Sequence, residues 1–83
     1  MAEELKRIPL YIADKQPSVR VPVDLWRKMK HNEIETGEGL SKLMNRLLSE
    51  HYATTDQVEI FNNIQAVNAN ELINNLLTKY FEA

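Results

Sequence analysis

The chain has 83 residues, 43% of them hydrophobic and 27% charged, with no cysteine and a formal net charge of −2. That length makes one domain the prior, and a chain so short buries a modest share of its surface and gains from oligomerisation. The composition excludes a disulfide framework or a cysteine-based zinc site, and no apolar run approaches the ~18 residues needed to cross a bilayer.

His31 and His51 have no metal partners near them in sequence, so neither a metal nor a cofactor is expected. The opening Met1-Ala-Glu-Glu lacks the charged-then-apolar layout of a signal peptide, and a cytoplasmic location is the expectation. Charge is unevenly spread. Residues 1–53 carry nine Lys/Arg against eight Asp/Glu, whereas residues 54–83 carry one Lys against four acids. Between Lys15 and His31 there are five basic residues and one acid, Asp24. A small basic face on an acidic molecule is sufficient for a nucleic-acid surface.

Residues 1–15 read as an N-terminal arm in which Lys6 and Arg7 precede the apolar stretch Ile8-Pro9-Leu10-Tyr11-Ile12. Ala13-Asp14-Lys15-Gln16-Pro17 has turn composition. Ser18-Val19-Arg20-Val21-Pro22-Val23 then alternates with period two, which predicts a half-buried strand with the valines inward and Ser18 and Arg20 outward. Pro22 ends that strand or confines it to an edge. Asp24 is a candidate N-cap. Leu25, Trp26 and Met29 mark the apolar stripe of a first helix, in which Trp26 belongs to core or interface, and Gly37 closes it. A second helix runs from Leu40 to Ala53 on Leu40, Leu43, Met44, Leu47, Leu48 and Tyr52.

Residues 54–83 read as a helical extension. Thr54-Thr55-Asp56 opens a short helix through Val58, Phe61 and Ile64. Asn68 and Glu71 have capping-box spacing before a last amphipathic helix on Leu72, Ile73, Leu76, Leu77, Tyr80 and Phe81. The remaining Asn residues between 62 and 75 are expected to solvate helix surfaces and caps. Leu43-Met44-Asn45-Arg46-Leu47-Leu48-Ser49 echoes Leu72-Ile73-Asn74-Asn75-Leu76-Leu77-Thr78. We read this first as the likeness of any two amphipathic helices, and second as a duplicated helical hairpin.

One strand followed by two helices is incomplete, because a lone strand leaves ladder groups unpaired. Pairing with its copy about a two-fold axis completes it, with the polar face outward and able to enter a major groove. Residues 16–52, from Gln16-Pro-Ser-Val-Arg-Val-Pro-Val through Gly37-Glu-Gly-Leu-Ser-Lys to Tyr52, resemble the ribbon-helix-helix (Arc/MetJ-type) DNA-binding family. Asn32 and Glu33 depart from that family's apolar first helix, and Glu38 from the basic residue its turn often carries. The resemblance implies a mainly α fold with one N-terminal β-strand per chain pairing across a dimer, here in residues 16–53. It implies base contacts by Gln16, Ser18 and Arg20, and phosphate contacts by Gly39, Leu40, Ser41 and the adjoining Lys42 at the start of the second helix. Such a helix start offers free N–H groups and partial positive charge.

Nothing in the chain has the spacing of a catalytic constellation, and no enzyme is expected. The leading expectation is a sequence-specific DNA-binding homodimer, or dimer of dimers, acting as a transcriptional repressor. A second is a plasmid partition, conjugation-accessory or antitoxin protein that recruits a protein partner through residues 54–83. A third is a helical interaction module without DNA binding, in which Arg7–Ile12 pairs with Ser18–Val23 as an intramolecular hairpin and the chain is monomeric.

Overall fold

Two residues in the left-handed region reverse the chain near its start. Ala13 has φ 48° and Asp14 φ 61°, the sign that both central positions of a two-residue type I′ hairpin turn require. Around them Ile12 and Lys15 exchange backbone hydrogen bonds of 3.0 and 2.7 Å, and Leu10 N–H donates to Pro17 O at 2.8 Å. The limbs continue as strand β1 (Leu5–Pro9) and strand β2 (Ser18–Pro22), antiparallel, with Arg7 opposite Arg20 and Ile8 opposite Val19. This computed structural model describes residues 4–82; residues 1–3 of the expected arm and signal-free opening, and Ala83, lie outside them.

The hairpin corrects the expectation that the strand pairs across a dimer. Its partner is supplied by the segment read as an arm, because the turn lets Ile8, Leu10 and Ile12 join Val19 and Val21 on one buried face. Hydrophobic burial on both limbs stabilises the ribbon within one chain. The observed pairing is close to the hairpin of the third reading.

Four helices cover that face: α1 (Val23–Thr36), α2 (Leu40–Tyr52), α3 (Gln57–Gln65) and α4 (Ala69–Glu82). Asp24 lies in the first turn of α1 and is not its N-cap; Pro22 holds that position without a side-chain bond. The first amide of α1, from Val23, instead donates to Glu4 O at 3.3 Å. Gly37, at φ 78°, ends α1 as expected, with its N–H on Glu33 O at 2.8 Å. The polar pair Asn32 and Glu33 leaves the last turn of α1 intact, and Glu33 reaches Lys30 at 3.0 Å. Asp56 caps α3 through Val58 and Glu59, and the Asn68 carboxamide accepts from Glu71 N–H at 3.1 Å. One cluster joins the ribbon to Leu25 and Met29, to Leu43, Met44, Leu47 and Leu48, and to Ile60, Ile64, Ile73 and Leu77. Trp26 is half-buried against that cluster, with Lys6 Nζ 5.1 Å from its ring centroid.

Among the described residues, no helix is long and apolar enough to cross a membrane.

Candidate nucleic-acid interface

Period-two alternation sends every second residue of the hairpin away from the helices. The outward set on the first limb is Leu5, Arg7, Pro9 and Tyr11, and on the second Gln16, Ser18, Arg20 and Pro22; all are exposed except Pro22, which is half-buried opposite Leu5. The three residues expected to contact bases therefore share one face, but half of that face comes from the first limb. Arg7 and Tyr11 were missed as site residues. The clue was the alternation of Ile8, Leu10 and Ile12, which puts Arg7, Pro9 and Tyr11 opposite them.

Arg7 and Arg20 are direct cross-strand partners. Arg7 Nε donates to Ser18 Oγ at 3.0 Å, which holds the guanidinium diagonally over the ribbon. Among the described residues neither arginine forms an ion pair. Like charges directly opposite on a sheet repel and cost stability, so this pair concentrates positive charge in the half of the ribbon away from the turn. Tyr11 and Gln16 occupy the other end beside the turn.

Each edge of the ribbon is held by the start of a helix. At the first limb, Tyr11 N–H donates to Ser41 Oγ at 2.9 Å, and Asn45 Nδ2 donates to Tyr11 O at 2.7 Å. At the second, Arg20 N–H donates to Asn70 Oδ1 at 2.6 Å, and Asn74 Nδ2 donates to Arg20 O at 2.8 Å. These carboxamides do more than solvate a helix surface. Asn70 and Asn74 occupy the backbone edge of β2 on which a second copy's strand would have paired.

The expected phosphate-contacting residues stand at the start of α2, beside the first limb. Gly39 is the N-cap, with no side-chain cap bond, and Leu40 begins the helix. Ser41 is half-buried with its hydroxyl committed to Tyr11, whereas Lys42 is exposed. The first N–H groups of a helix have no partner within it. Glu38, next to them, is neutralised by Arg46, whose Nε and one terminal nitrogen meet its two oxygens at 2.8 and 3.0 Å. Hydrogen bonding from Arg46 holds the Glu38 carboxyl below its ordinary value, against a smaller opposing effect of burial. The acidic turn is thus an internal ion pair, which Arg46 extends to Tyr80 Oη at 3.1 Å.

Other features of the surface offer less. An apolar groove of about 550 Å³ between the hairpin and α3 is lined by Lys15, Pro17, Phe61, Ile64 and Val67 among others. Its lining contains no acid–base pair. Among the described residues, no group of three or more His, Cys, Asp or Glu converges as a metal site. Comparison with models of protein families, with curated proteins and with solved structures finds no match to this chain.

Proposed function

We propose that this protein binds double-stranded DNA sequence-specifically, as a transcriptional repressor, by laying the exposed face of its own β-hairpin in the major groove. A two-stranded ribbon has the width to enter that groove, where arginine pairs with guanine and glutamine with adenine. The observation that carries the reading is the Arg7–Arg20 pair, two exposed arginines directly opposite on the sheet, neither in an ion pair among the described residues. Their mutual repulsion is relieved by a polyanion and by little else on this surface. The uncapped start of α2 at the first ribbon edge adds N–H groups suited to phosphate oxygens, and Lys42 adds a cation beside it.

The intramolecular hairpin also favours a second reading, the helical interaction module, whose ribbon would be structural only. The arginines separate the two. Titration of fluorescent duplex DNA with wild type and with Arg7→Ala/Arg20→Ala, at one fixed salt concentration, tests the proposal. The wild type should bind with an affinity that falls steeply as salt rises, and the double variant should lose about tenfold or more on a preferred sequence, as lost bidentate guanine contacts do. A wild type with no affinity for duplex DNA at low salt would leave the interaction module standing.

A further inference from the structure

The ribbon and its two flanking helices repeat one hydrogen-bonded unit about an approximate two-fold axis. Tyr11 is gripped by Ser41 and Asn45 of α2, as Arg20 is gripped by Asn70 and Asn74 of α4. Asn45 Nδ2 also reaches Ser41 O, at 3.4 Å, and Asn74 Nδ2 reaches Asn70 O, at 2.8 Å. The same sequence offset separates Ser41 from Asn70, Asn45 from Asn74, and every residue of the Leu43–Ser49 echo from its counterpart in Leu72–Thr78. On the ribbon the axis relates buried Leu10 to Val19 and buried Ile12 to Val21, and passes between Pro9 and Ser18, which are paired.

The grip of α2 and α4 on the ribbon is symmetric, and the exposed face of the ribbon is not. The axis relates Arg20 to Tyr11, Ser18 to Pro9 and Gln16 to Arg7. Both arginines therefore fall at one end of the ribbon, and the aromatic ring and the carboxamide at the other. Two identical chains in a symmetric ribbon present the same residues to both halves of their site, which selects a palindrome. This ribbon presents unlike residues to the two halves.

We infer that one chain of this protein recognises a non-palindromic duplex site, with guanine under the Arg7–Arg20 end and an A·T pair under the Tyr11–Gln16 end. Arginine reads guanine O6 and N7, glutamine reads adenine N6 and N7, and an apolar ring packs on the thymine methyl group. The inference rests on the DNA-binding reading above, and it assigns to that reading a stoichiometry and a polarity.

The test is selection from a pool of duplexes with a randomised centre, using wild type and a variant that gives both halves the same residues. Arg7→Gln, Pro9→Ser and Tyr11→Arg together place Gln-Ser-Arg on each limb. All three positions are exposed, and circular dichroism with a thermal melt establishes that the variant is folded. The wild type should enrich an asymmetric site and bind it as one chain per duplex by light scattering. The folded triple variant should enrich a palindrome, and should bind the wild-type site about tenfold or more weakly. A palindromic wild-type site, or two chains on each minimal site, overturns the inference and leaves DNA binding in place. Failure of the wild type to enrich any sequence removes the DNA reading, and this inference with it.

Discussion

Asn74 donates its side-chain amide to the carbonyl oxygen of Arg20 at 2.8 Å, and Asn70 accepts the N–H of the same residue at 2.6 Å. A helix thereby satisfies both outward backbone groups of one strand residue by side chains alone. Edge strands with free backbone groups template pairing with other chains, and covering them is a common remedy. Replacing either asparagine by alanine should lower the unfolding free energy by about 0.5–1.5 kcal/mol, the usual net value of a hydrogen bond. The double replacement should also produce concentration-dependent association in sedimentation velocity, since it leaves both outward backbone groups of Arg20 without a protein partner. A double variant that stays monomeric and fully stable would show that water satisfies the edge equally well.

The Arg7–Arg20 pairing should leave a mark on stability without any ligand. Opposed like charges on a sheet cost roughly 0.2–1 kcal/mol, and added salt screens them. Arg20→Ser is therefore expected to raise the urea midpoint at low ionic strength and to change it little at high ionic strength. Unequal effects in the opposite order would mean that the guanidinium packs favourably on the ribbon.

Glu38 and Arg46 should confer a pH dependence. The carboxyl of Glu38 titrates below its ordinary value of 4.5 when folded, so its contribution is present above that value. It is lost as pH falls through the lower folded value. The side chain of Glu38 is 15% exposed and that of Arg46 39%, which keeps the expected contribution near the upper end for surface pairs, about 1 kcal/mol. Glu38→Gln should lose that amount at neutral pH and converge with wild type in acid. Parallel melting curves from pH 7 to below 4.5 decide it; a constant gap would assign the loss to packing.

Among the described residues, three non-glycine residues occupy the left-handed region: Ala13, Asp14 and Ala53, the last at φ 54° as the C-cap of α2. Alanine pays roughly 1 kcal/mol there, which glycine avoids. Ala53→Gly and Asp14→Gly should each raise the melting temperature by a few degrees, about 0.5–1 kcal/mol, the greater chain entropy of glycine offsetting part of the gain. A fall at Asp14 would mean that its side chain supports the turn.

The helices were legible because their signals are local. The cap at Asp56, the Asn68–Glu71 spacing and the glycine at 37 each act within a turn of their own helix. The period-two run Ser18–Pro22 was equally clear, and its outward residues emerged together. The partner of that strand was not legible, for a specific reason. Ala13-Asp14 lacks the Asn-Gly or Asp-Gly signature of a two-residue hairpin, and Pro9 and Pro17 interrupt both limbs. Without a visible turn, the incomplete strand suggested a second copy. The grip of Asn70 and Asn74 on Arg20 was hidden for another reason: it joins residues 50 and 54 positions apart, a relation that no local pattern encodes.

That separation bears on how the protein emerges from the ribosome. The hairpin, α1 and α2 are all made before Asn70, so the outer edge of β2 stays open while some 50 further residues are added, a matter of roughly 3–10 s at ordinary translation rates. During that interval the nascent chain exposes an unsatisfied strand edge and the uncovered apolar residues that α4 will later bury. Neighbouring ribosomes on one message hold such edges close together. The arrival of α4 therefore closes this edge of the hairpin, and messages truncated before α4 should yield products that pair with one another.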